Sequence, residues 1–177
     1  KTQTFKARIS YDGTDYVGWI QQPNQPSILG QLQDSFYQAF GKEVYILGAS
    51  KTDAGVHALG QIALIETDLN ISRSKLIFAW NNALPEAISL LSLESAHNFY
   101  PLANVQSKTY WYHIFPQRPL PFFARYGWYH QQSFDLQKLQ EALDLFVGTH
   151  DFNAFYMGND QANTIRTIDK ISLEYDN

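Results

Sequence analysis

The chain has 177 residues, 45% of them hydrophobic and 17% charged, with a net charge of −4 and a pI near 5.7. It is long enough for one full core or two small packed units, and it lacks the basic excess of most nucleic-acid binders, so an RNA or DNA partner would need a locally positive cleft. It has no cysteine, hence no disulfide or thiolate site, which fits a cytoplasmic protein.

The first segment, TFKARISYDG, alternates Phe5, Ala7, Ile9 and Tyr11 against Lys6, Arg8 and Ser10, the period of a half-buried strand. From Ser27 to Phe40 the spacing changes: Ile28, Leu32, Phe36 and Phe40 fall on one helical face, with Pro26 and Ser27 as the start and Gly41 as the stop. EVYIL reads as a short strand, and QIALIET as another after an irregular stretch. A helix follows from about Ser74 to Ala83, with Leu76, Trp80 and Leu84 on one face and Pro85 as its terminator, and then a strand at AISLLSLE. This β-α-β-β-α-β order is the split βαβ, or ferredoxin-like, unit.

SKTYWYHIF opens a new strand, and ARYGWYHQQSFD reads as a surface excursion. A helix from the N-cap Asp135 to Val147, closed by Gly148, directs Leu136, Leu139, Leu143 and Phe146 inward. TIRTIDKISLEY is the final strand. Half of a second unit leaves a sheet face uncovered, so a further strand-helix-strand stretch is expected, and the start at Lys1 rather than Met suggests a longer gene product. No run of about eighteen apolar residues predicts a membrane span, and no signal peptide opens the chain.

The irregular stretch is GASKTDAGVHALGQ, from Gly48 to Gln61. It holds one carboxylate, Asp53, and a histidine, His57, four residues on. Alone, Asp53 reads as a turn-forming or capping residue. An Asp and a His at this spacing also suggest a metal or acid–base pair, but His97, His113, His130 and His150 show no ligand spacing. The expectation is therefore no metal, with His57 holding the loop by hydrogen bonding.

Four segments together carry a resemblance: GASKTDAGVHA, YDGTDYVGWIQQPNQPSILGQL, SKTYWYHIF, and HDFNAF followed by TIRTI. The chain resembles the tRNA pseudouridine synthase I (TruA-type) family over nearly its whole length. The resemblance implies an α+β pseudouridine synthase fold of two ferredoxin-like halves with merged antiparallel sheets and a central cleft. The halves would span 1–104 and 105–177, the second incomplete. It further implies isomerisation of uridine to pseudouridine in tRNA, at positions 38–40 of the anticodon arm, by a cytoplasmic homodimer without metal or cofactor.

By the same resemblance, Asp53 is the catalytic aspartate, acting on a flipped-out nucleotide. Tyr110 stacks on the uracil and stands near the C5 proton, and Lys51 contacts substrate. Gly48, Thr52, Gly55 and His57 support the loop. The chain departs from the family pattern at Lys51 (arginine is usual), Ser50 (glycine), Ile20 (glutamine) and Tyr100–Ala103, in FYPLANV. These departures define the alternative of an impaired paralogue that binds or remodels RNA. An RNA recognition module would want exposed aromatics where GQIALIET has none, and a glycosidase a second working carboxylate.

Overall fold

Alternating apolar residues at the start of the chain form strand β1 (Gln3–Tyr11), which buries Phe5, Ala7, Ile9 and Tyr11 and turns Lys6, Arg8 and Ser10 to the other face. In this computed structural model, residues 2–132, 134–158 and 163–174 are described, in two units, Lys1–Trp111 and Tyr112–Asn177. The first unit continues with helix α1 (Ile28–Phe40), β2 (Tyr45–Gly48), β3 (Ala58–Thr67), helix α2 (Arg73–Ala83) and β4 (Ile88–Ser95). The sheet order is β2-β3-β1-β4, antiparallel throughout. With this connectivity it is the split βαβ arrangement anticipated from the element order.

Local chemistry sets both ends of α1. The Ser27 hydroxyl accepts the Gly30 N–H at 3.1 Å as N-cap, and Gly41, at φ +66°, donates its N–H to the Tyr37 carbonyl at 2.7 Å. Ile28, Leu32 and Phe36 are buried against the sheet, with Phe40 packed beside Phe36. Helix α2 buries Leu76 and Trp80, and the chain turns at Leu84 and Pro85, where the Leu84 N–H bonds the Trp80 carbonyl. Trp80 joins the two helices. Its indole N–H reaches the Leu32 carbonyl at 3.1 Å and the Ser35 hydroxyl at 3.0 Å, and its ring stands edge-on to Phe36.

Two bulges break the strict alternation. Arg8 faces Ser92 but Ile9 faces Leu90, so Leu91 is an extra residue and points outward; this moves the buried positions of β4 from Ile88 and Leu90 to Leu93. Likewise Ile9 faces Gln61 but Tyr11 faces Ala58, so two residues of β3, Leu59 and Gly60, stand against the single Ser10 of β1. Strand β3 therefore starts earlier than QIALIET suggests, because Ala58 to Gly60 pair with β1 out of the two-residue phase.

The second unit has β5 (Ile114–Phe115) parallel to β6 (Trp128–Tyr129), then α3 (Leu136–Asp144), and β7 (Gly148–Asp151) antiparallel to β8 (Ile165–Ile168). Only the last two residues of SKTYWYHIF form strand, and ARYGWYHQQSFD supplies β6 rather than a free excursion. Of TIRTIDKISLEY only Ile165–Ile168 is strand, and its Tyr175 lies outside the described residues. The Asp135 carboxylate caps α3 by accepting the Lys138 N–H at 3.1 Å, as anticipated. The helix stops at Asp144 rather than Val147, because the Phe146 and Val147 N–H groups bond carbonyls three residues back and tighten the chain ahead of Gly148. Leu139, Leu143 and Phe146 are half-buried, whereas Leu136 is exposed. Among the described residues of this unit none is fully buried.

Trp80→Phe keeps most of the packing and deletes the indole donor. It should lower the free energy of unfolding by about 1–3 kcal/mol, and Trp80→Ala by about 3–5 kcal/mol, in urea titration. A Phe variant as stable as the parent would show that the indole bonds contribute nothing net. Burial raises the Tyr11 phenol above its ordinary value, while hydrogen bonds with Thr52 and Gln61 oppose the shift. The unfolded phenol loses its proton near pH ~10, and the folded one holds it to higher pH. Tyr11's contribution is thus complete below that point and lost as pH rises through the folded value. Thermal melts at neutral and strongly alkaline pH should show a larger alkaline loss in the parent than in Tyr11→Phe; equal losses would remove Tyr11 as a cause.

Candidate active site

The Gly48–Gln61 stretch resolves into the end of β2, a loop from Ala49 to His57, and the start of β3. Its base is pinned to the sheet. The Ala49 N–H donates to the Ile62 carbonyl at 2.8 Å, and buried Gln61 donates its side-chain amide to the Ser50 carbonyl at 2.7 Å. Gly48 lies flat against the Trp19 indole, where a Cβ would come within 2.7 Å of the ring. At the next step the Thr52 hydroxyl meets the Tyr11 phenol at 2.8 Å.

The rest of the loop is held by the segment between β1 and α1, sequence YDGTDYVGW. The Trp19 N–H donates to the Thr52 carbonyl at 2.9 Å, and the Gly55 N–H to the Tyr16 carbonyl at 3.1 Å. These bonds bracket Asp53 on both sides. Two glycines make the contact possible. A Cβ on Gly18, itself at φ +106°, would sit 2.5 Å from the Thr52 carbonyl oxygen, and one on Gly13 would overlap the Val56 carbonyl. Within the loop the Val56 N–H bonds the Asp53 carbonyl at 3.2 Å, and Gly55 takes φ +76° to turn the chain.

The Asp53 residue is exposed, as is Lys51. A carboxylate thus stands in solvent on a backbone held from several directions. Among the described residues no ion pair or hydrogen bond joins the Asp53 side chain to Lys51. Gly55 owes its identity to its left-handed backbone, since a Cβ there would meet nothing within 4 Å. His57 reaches the segment that follows β1: Nδ1 lies 3.0 Å from an Asp12 carboxylate oxygen and 3.1 Å from the Gly13 nitrogen. That nitrogen either donates to the carboxylate or accepts from the amide, so the two contacts imply different tautomers.

Tyr110 lies in a segment without strand pairing and is 66% exposed, and Tyr112 is 93% exposed. Neither sits in the strand that SKTYWYHIF is expected to open. Among the described residues no hydrogen bond or ring contact joins Tyr110 to the Asp53 loop. No group of three His, Asp or Glu residues capable of holding a metal occurs among the described residues, and no described helix is long and apolar enough to cross a membrane.

The residues missed at the sequence level are those of the clasp: Tyr11, Asp12, Gly13, Tyr16, Gly18 and Trp19. Their signal was the pair of glycines in YDGTDYVGW, each placed where another backbone passes. Burial, with Asp15 and Asp12 nearby, raises the Tyr16 phenol above its ordinary value and keeps it neutral beside the loop.

No family model matches the chain. Among curated proteins, it is 38% identical over 171 residues to "tRNA pseudouridine synthase A" of Thermodesulfovibrio yellowstonii, covering 96% of this chain and 67% of that protein. Proteins of the same name from Caldicellulosiruptor bescii and Acetivibrio thermocellus are 35% and 36% identical over 172 residues, each match covering 96% of this chain and 70% of the relative. Identity at this level over two thirds of a relative's length is decisive: the chain belongs to the tRNA pseudouridine synthase A family, a family of isomerases.

Proposed function

We propose that the chain isomerises uridine to pseudouridine in the anticodon arm of tRNA, at positions 38–40, with Asp53 as the catalytic carboxylate. The observation that supports this reading is the posture of Asp53: exposed, while the peptides around it are fixed through Thr52, Gly55 and Val56. A carboxylate meant to meet a flipped-out nucleotide needs that combination of access and fixed backbone.

The reaction breaks the bond between C1′ and N1, turns the uracil, joins C1′ to C5, and transfers the C5 proton away so that the ring regains its unsaturation. No atom is gained or lost overall, and the reading calls for no metal or cofactor. Asp53 can serve as nucleophile at C1′, as base at the 2′ position, or as the negative charge that supports a cationic sugar. In this reading Tyr110 stacks on the uracil and its hydroxyl takes part in the loss of the C5 proton. Lys51 supplies charge to the substrate, as an ammonium in place of a planar guanidinium fork. Gly48, Thr52, Gly55 and His57 hold the loop. The resemblance also carries two ferredoxin-like halves, spanning 1–104 and 105–177, the second incomplete, and a cytoplasmic homodimer.

Asp53→Asn should abolish pseudouridine formation on tRNA while leaving affinity within a few-fold, since phosphate contacts supply most of the binding. Product at near the parental rate would sink the assignment of Asp53. Tyr110→Phe should slow single-turnover formation by about a hundredfold or more, within the usual range of general-base contributions. Tyr112→Phe is the control and should be near neutral. Equal rates for the two variants would remove Tyr110 from the catalytic residues.

A further inference from the structure

We propose that Asp12 is a positioning residue for Asp53, acting through His57 and through the turn at Gly13; this rests on the reading of Asp53 as the catalytic carboxylate. Asp12 follows the last residue of β1, and its own N–H is anchored to the Ala87 carbonyl at 2.9 Å. Its carboxylate oxygen Oδ1 accepts the Thr14 N–H at 3.0 Å and the Thr14 hydroxyl at 2.6 Å, which fixes the 12–14 turn. The same oxygen lies 3.0 Å from His57 Nδ1. One carboxylate therefore grips its own turn and the residue at the far end of the Asp53 loop.

The turn transmits that grip. Gly13 sits so close to the Val56 carbonyl that no side chain fits between them, so the position of the 12–14 turn sets the position of the Val56 peptide. Val56 in turn bonds the Asp53 carbonyl. His57 is the second route, one residue beyond Val56. Because a carboxylate only accepts, the Asp12 contact favours the tautomer with its proton on Nδ1, while the Gly13 N–H favours the one in which Nδ1 accepts; in both the ring is tied to the 12–14 turn. The side chains of both residues are partly shielded, at 25% exposure for Asp12 and 35% for His57, so the contact is held away from bulk water without being sealed from it. Asp12 touches no reacting atom in this scheme; its effect is on where Asp53 stands.

The test uses single-turnover pseudouridine formation on a tRNA transcript, tRNA affinity by filter binding, and melting temperature, for the parent, Asp53→Asn, Asp12→Asn, Asp12→Ala, His57→Gln and Asp12→Asn/His57→Gln. Asp12→Asn keeps an acceptor for Thr14 while losing the charge facing His57, so it folds even if the alanine variant does not. It should lower the rate at saturating tRNA by about tenfold to a hundredfold, the scale of small misplacements of a reacting group. Affinity should stay within about twofold, since phosphate contacts dominate it. The double variant should be no slower than the slower single variant, because both changes break one contact. A parental rate for Asp12→Asn, a loss confined to affinity, or an additive double variant overturns the inference. An inactive parent or an active Asp53→Asn overturns instead the reading of Asp53 beneath it.

Discussion

The bond from the Trp19 amide to the Thr52 carbonyl is the contact on which the candidate site depends. It ties the entry of α1 to the residue just before Asp53. Trp19 is itself buried, its ring lies against Gly48, and its carbonyl receives the Leu29 N–H from the first turn of the helix. The position of the loop is thereby referred to the packed core rather than to other loops. The backbone does the holding, which frees the side chains at 51 and 53 to face solvent.

Glycines are the condition for such a clasp. Two stretches of backbone hydrogen-bond at close range only where one of them has no side chain in the way, and Gly13 and Gly18 occupy those places. The clasp is completed by polar groups screened from water. Tyr11, Thr52 and Gln61 share hydrogen bonds at the base of the loop, and among the described residues no buried side-chain polar atom is left without a partner. A satisfied polar network in a screened place adds rigidity, where a half-satisfied one would cost stability. The bulge beside Leu59 and Gly60 adjoins this network and alters the aim of β3 where it leaves the loop.

The two units differ in how they hold together. The first buries two tryptophans and a continuous aliphatic layer, and packs two helices on one four-stranded sheet. The second relies on short pairings and on ring contacts, such as Trp128 with His130, His130 with Phe134, and Phe146 with Phe155. Its helix obeys the sequence pattern in its cap and in its half-buried Leu139 and Leu143, but no described residue there reaches full burial. An amphipathic stripe becomes a core only where a facing layer covers it.

The sequence by itself determined the elements of the first unit, because their signals are local: the period of two in β1, the i, i+4 stripe of α1, the Ser27 cap, the Gly41 stop and the Pro85 terminator. It also singled out Asp53, through the neighbours that carry the resemblance rather than through any property of the aspartate. Local pattern failed where pairing decides the outcome, as in SKTYWYHIF, whose β-favouring residues find strand partners only at Ile114 and Phe115. Only the tertiary structure decided what holds Asp53. The clasp joins residues 11–19 to residues 48–57, a contact between backbones, and a backbone amide leaves no mark in the sequence beyond the glycines that make room for it.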